Sequence, residues 1–136
     1  MSEDYASYIP GIQYAESRGQ ADPWHAVGDH GQALGAFQIQ PIMFQDLQQW
    51  TPDPWRAQTY QRMLSTPQGQ EDAVLSILRM LGEGHYGFSH DRLISAYNTG
   101  PTKARKGVIN QPYVDTVRRG MRLHKGNPTM NRLKGK

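Results

Sequence analysis

The chain has 136 residues, 37% hydrophobic and 20% charged, with a formal net charge of +3 at pH 7. That is the length of one domain, with apolar residues enough for a modest core and too many for a disordered chain. Cysteine is absent, which excludes a disulfide framework, a thiolate metal site and a cysteine nucleophile.

No apolar run approaches the roughly 18 residues of a membrane span, so no transmembrane segment is predicted. The opening residues carry Glu3 and Asp4 and no apolar stretch, so no secretory leader is predicted either. Charge is unevenly spread. Residues 1–102 hold five Arg and eleven acidic residues, whereas residues 103–136 hold ten Lys and Arg and only Asp115. A basic C-terminal third suits an anionic partner such as nucleic acid, lipid phosphate or an acidic wall polymer. A solvated face with a frayed tail accounts for it equally well.

Helix signals dominate the chain. Tyr5, Tyr8, Ile9 and Ile12 fall on one helical face, with Pro10 a kink or a late start, and that helix should stop near Gly19. Gly28, Gly31 and Gly35 then punctuate a turn-rich hairpin region, with short strands expected around Ala26–Val27 and Ala36–Gln38. Pro41 opens a helix carrying Ile42, Phe44 and Leu47, and Asp53-Pro54 opens another through Trp55 and Met63. Thr66-Pro67 starts a longer helix with Val74, Ile77, Leu78 and Leu81 on one face, ended by Gly82 or Gly84. Ser89 caps a helix through Leu93, Ile94 and Tyr97, closed by Asn98 and Gly100. A last helix begins near Pro112 and turns Tyr113, Val117 and Met121 inward. Residues 125–136 read as a basic, unpacked tail after a domain over residues 1–124.

Glu16, in Ala15-Glu16-Ser17-Arg18-Gly19, stands at the C-terminal end of the first helix. A carboxylate there is opposed by the helix dipole, and position alone would leave it a solvated surface residue. Three further segments follow it. They are Gly28-Asp29-His30-Gly31, then Gly35-Ala36-Phe37-Gln38-Ile39-Gln40-Pro41, then Ile94-Ser95-Ala96-Tyr97-Asn98-Thr99-Gly100 ahead of Tyr113-Val114.

In this order and spacing the segments resemble the lysozyme-like superfamily, most closely goose-type lysozymes and soluble lytic transglycosylases, over roughly residues 8–125. The resemblance implies an α+β, mostly α, lysozyme-like fold with a small β-hairpin region after the first helix. It implies a peptidoglycan-degrading glycosidase that cuts the β-1,4 bond between N-acetylmuramic acid and N-acetylglucosamine. Glu16 would be the general acid, since glycosidic cleavage needs a carboxylic acid to protonate the leaving oxygen. Asp29 matches an aspartate that places the attacking water; its other reading is the Asx-turn residue of a glycine-flanked turn. The goose-type pattern has a further acidic residue where this chain carries Gln40. Lytic transglycosylases need only the acid, because the sugar's own groups close a 1,6-anhydro ring.

The remaining matches each have two readings. Gln38 either bonds the sugar N-acetyl group or orders the hairpin. Tyr97 is the cleft tyrosine beside the acid or a core aromatic. Asn98 faces substrate or caps its helix, and Tyr113 either belongs to the binding site or packs in the core. Ser17 is expected to bond locally. Trp24, Phe37 and Trp50 are core residues or sugar-stacking platforms.

Other patterns carry less. Gly82-Glu83-Gly84-His85-Tyr86-Gly87 matches G-x-G-x-x-G but follows a helix instead of a strand, which excludes a dinucleotide site. The spacings His25–His30 and His85–His90 put side chains on different helical faces, so no metal and no cofactor are predicted. No Gly-x-Ser-x-Gly elbow is present. The cluster from Lys103 to Arg119 belongs to no nucleic-acid module, so specific nucleic-acid binding is not expected. The partners expected are peptidoglycan glycan strands and, through the basic C-terminal third, an anionic cell envelope. The chain should act as a monomer, of the kind bacteriophages use as lysins or virion-associated enzymes. The alternative from another class is a catalytically inactive lysozyme-like module kept for binding or assembly.

Overall fold

A computed structural model describes residues 4–28, 33–51, 55, 58–84 and 86–124 of the chain. A 3-10 turn over Tyr5–Tyr8 runs into α1, Ile9–Ser17, so Pro10 lies in the first turn of the α-helix, where its missing N–H costs nothing. A second 3-10 turn, Pro23–His25, leads to β1, Val27–Gly28, which pairs antiparallel with β2, Ala33–Leu34. Helices follow: α2, Pro41–Trp50; α3, Tyr60–Leu64; α4, Pro67–Glu83; α5, His90–Thr99; α6, Pro101–Arg105; and α7, Gln111–Leu123. The architecture is α+β and mostly α, with one two-stranded sheet among the described residues.

Local chemistry accounts for most of the boundaries. Thr66 Oγ1 accepts from the Gly69 N–H at 2.9 Å and Pro67 follows it, so α4 starts where the sequence places it. Thr59 caps α3 and Asn110 caps α7 in the same way. Gly100, at φ +95°, closes α5, and Asn98 lies in the last turn of that helix and not at its cap. Ser89 occupies the N-cap of α5 but makes no side-chain capping bond.

α4 is the central element. Ala73, Val74, Ile77, Leu78 and Leu81 are fully buried, and the helix packs on α1, α2, α3, α5 and the first 3-10 turn. Such a stripe at i, i+3, i+4 and i+7 spacing is the predicted inward face. α1 and α7 form the closest helix pair. A Cβ on Gly11 would overlap the Val117 carbonyl oxygen, and one on Gly120 would lie 3.0 Å from Gly11 Cα. Two glycines therefore let the backbones meet, antiparallel, with the C-terminal end of α1 beside the start of α7.

Several expectations are corrected. The second strand is Ala33–Leu34 and not Ala36–Gln38, because Gly35 at φ +89° and Gln38 at φ +51° turn the chain between them. That turn is closed by a Leu34–Ile39 bridge. α3 begins only at Tyr60, six residues beyond Pro54, which itself lies outside the described residues. Ile42 is 70% exposed, while Phe44 and Leu47 are buried as predicted. α6 was not foreseen, although Pro101 directly after Gly100 has the form of an N1 proline. Asp29 and residues 125–136 lie outside the described residues. No helix among the described residues is long and apolar enough to cross a membrane.

Candidate functional site

One cleft of about 940 Å³ brings together α1, the hairpin, α2, α5 and α6. That is the upper end of ordinary small-ligand sites and leaves room for an elongated molecule. Its lining includes Glu16, Gln38, Tyr97 and Asn98, four of the residues singled out in the sequence.

Glu16 occupies the last turn of α1 and is half-buried. Two bonds from neighbouring residues hold this corner. Ser17 Oγ donates to the Ala36 carbonyl at 2.8 Å, which ties the helix end to the hairpin turn, and makes its expected local bond to the Gln13 carbonyl at 3.2 Å. The Tyr113 hydroxyl donates to Glu16 Oε2 at 2.7 Å. That contact depends on the glycine-mediated approach of α1 to α7, and on Asn110, whose side chain accepts from the Tyr113 N–H at 3.3 Å. Asn110 is itself seated by two bonds from α5. Its N–H donates to Ser95 Oγ and its Nδ2 donates to Asn98 Oδ1, both at 2.8 Å. Asn98 is thus exposed at the cleft while orienting the residue that starts α7.

Tyr97 both lines the cleft and packs in the core. It is 8% exposed, and its hydroxyl donates to the Phe37 carbonyl at 2.9 Å, fixing the hairpin turn over α5. Burial pushes its phenol well above the usual tyrosine range, with the charges of Glu16 and Tyr60 adding to the effect. Tyr113 is raised well above that range too, first by burial, then by Glu16 and Tyr97, and by its bond to Glu16. Both phenols therefore hold their protons through neutral and mildly alkaline pH, and Tyr113 stays a donor to the carboxyl group there.

Gln38 orders the hairpin. Its Nε2 donates to the Gly35 carbonyl at 2.9 Å and the Ala26 carbonyl at 3.3 Å, and its Oε1 lies where a Cβ on Gly28 would be. Behind the same turn, buried Gln70 of α4 acts as a clamp. Its Oε1 accepts from the Ala36 N–H at 2.9 Å, while its Nε2 donates to the Trp24 and Leu64 carbonyls at 3.0 and 3.1 Å. The Tyr60 hydroxyl donates to the Ile39 carbonyl, and burial lifts its pKa to about 12.

The structure does not bring Trp24, Phe37 or Trp50 to the cleft; Trp24 and Phe37 are core residues at 3% and 0% exposure. The aromatic that does line it, besides Tyr97, is Tyr86, which stacks on Phe88 with centroids 5.6 Å apart. Its hydroxyl donates to Asp46 Oδ2 at 3.2 Å, and Arg105 lies over its ring at 5.1 Å. Asp46, Tyr86, Lys103 and Lys106 also line the cleft, and sequence reasoning missed them as site residues. Asp46 and Tyr86 come from segments without a local signal, while the two lysines had been seen only as members of a basic cluster. Among the described residues, no group of three or more His, Asp or Glu is placed to hold a metal ion.

No protein-family model, curated protein or solved structure matches this chain.

Proposed function

We propose that the chain is a glycosidase of lysozyme-like fold that cleaves peptidoglycan glycan strands between N-acetylmuramic acid and N-acetylglucosamine, with Glu16 as general acid. The observation that carries this reading is the Glu16 carboxyl on the wall of the cleft, held at 2.7 Å by a tyrosine that keeps its proton. A carboxyl group that must give up a proton benefits from a donor that strengthens its bond as the negative charge appears. Tyr113 is such a donor.

In the proposed reaction Glu16 gives its proton to the bridging oxygen as the bond from that oxygen to the anomeric carbon breaks. In hydrolysis, water adds to the anomeric carbon and releases a proton to a base, the part the resemblance gives to Asp29. A second reading, closure of a 1,6-anhydro ring by the sugar's own hydroxyl, which gives up its proton to the Glu16 carboxylate left by the first step, is favoured by Gln40. This amide lines the cleft where the goose-type pattern has an acid.

The test is clearing of a bacterial wall suspension together with mass analysis of the released fragments. Wild-type protein should clear it, and Glu16→Gln should lose at least about 100-fold in rate while keeping its circular dichroism spectrum. Reducing ends on the products assign hydrolysis; products lighter by one water assign ring closure. A wild-type protein that clears no wall at any pH, yet still binds glycan, would make the chain a binding module.

A further inference from the structure

Among the described residues, the two carboxylates that line the cleft are engaged by tyrosines, Glu16 by Tyr113 and Asp46 by Tyr86. The two ammonium groups are not so matched. Lys103 on α6 and Lys106 just beyond it line the same cleft, are exposed, and have no acidic partner among the described residues. Their neighbour Arg105 does not line the cleft and lies over the Tyr86 ring. The spacing follows from the backbone. Residues three apart on one helical turn lie on the same face, and the Lys106 N–H bonds back to the Lys103 carbonyl at 3.1 Å.

We propose that Lys103 and Lys106 form an anion-selecting rim, so that the cleft takes glycan strands bearing carboxylate or phosphate substituents in preference to neutral ones. This rests on the glycosidase reading above and deepens it. A free ammonium at the mouth of a groove attracts an opposite charge without being tied to one geometry, because lysine is a hydrated point charge on a flexible stem and not a rigid fork. Substituents on a polymer vary in position, which suits such a contact. Attraction of this kind is screened by salt, with a range of about 10 Å at 0.1 M. The rim therefore acts on binding and encounter more than on the bond-breaking step.

The experiment is calorimetric titration of the Glu16→Gln protein, which keeps the glycan intact, at low and high salt. Four probes are used: a neutral N-acetylglucosamine hexasaccharide, a peptide-bearing strand of equal length with free carboxylates, the same strand with those carboxylates amidated, and a phosphate-ester-bearing strand. The free-carboxylate strand should bind about tenfold tighter than its amidated twin at low salt, and the ratio should shrink as salt rises. Adding Lys103→Gln and Lys106→Gln should bring that ratio to about one, while Lys103→Arg with Lys106→Arg should keep it. A preference shown by the phosphate strand and not the carboxylate one assigns the rim to phosphate. Equal binding of the carboxylate, phosphate and amidated strands, or a preference that survives the Gln pair, overturns this inference alone. If none of the four glycans binds, the glycosidase reading falls with it.

Discussion

Tyr113 bears on the proposed acid through a single hydroxyl. Its bond to Glu16 Oε2 at 2.7 Å favours the ionised carboxyl group. Removing the hydroxyl in Tyr113→Phe should therefore raise the acid's pKa. The alkaline limb of the wall-clearing pH profile should move upward, because the proton to be donated is retained to higher pH. An unmoved limb, measured from pH-dependent initial rates, would detach Tyr113 from the acid. At this scale the sequence was informative about residue types and silent about partners. Glu16, Gln38, Tyr97 and Asn98 could be named as neighbours of one cleft. That Gln38 spends its amide nitrogen on two backbone carbonyls, or that Asn98 holds Asn110, depends on side-chain directions which no spacing encodes.

Among the elements, the pairing of α1 with α7 governs the site. The Gly11–Gly120 approach leaves no space for a methyl group, since a Cβ at either position meets backbone or the base of a side chain. Gly120→Ala should cost about 1–3 kcal/mol by overpacking, read from chemical denaturation, and should lower activity beyond that loss by parting Tyr113 from Glu16. Boundaries set by local chemistry were legible in advance. Thr66-Pro67 and the stripe from Val74 to Leu81 defined α4 without tertiary information. The hairpin was not, because two of its turn residues take positive φ and one of them, Gln38, is not glycine. A side chain seldom adopts that conformation unless other contacts fix it, and here its own amide does so. α3 was misplaced for a related reason: its start is decided by the Thr59 cap and not by the Pro54 upstream.

Across the whole molecule four phenols at or around the cleft have raised pKa values, Tyr60, Tyr86, Tyr97 and Tyr113. Each favours its neutral form in the folded state more than in the unfolded chain. The stability they lend is fully present below pH about 10, the ordinary tyrosine value, and is lost as pH rises through their folded-state values, which for Tyr60 means about 12. Alkaline unfolding should accordingly coincide with the appearance of tyrosinate absorbance above that of the exposed Tyr residues. Tyrosinate that appears in full while circular dichroism is still native would refute that contribution. The basic C-terminal third, conspicuous in composition, proves to be divided. Lys103 and Lys106 belong to the cleft and Arg118 is paired with Asp91 at 2.9 Å, which composition alone could not have separated.

The Glu16–Tyr113 bond joins residues 97 positions apart. During synthesis Glu16 therefore emerges well before the tyrosine that bonds it. A ribosome-bound or prematurely ended product lacking α7 would carry the acid without the group that steadies it. The contact that steadies Glu16 is in this way delayed until α7 has been made and has folded back onto α1.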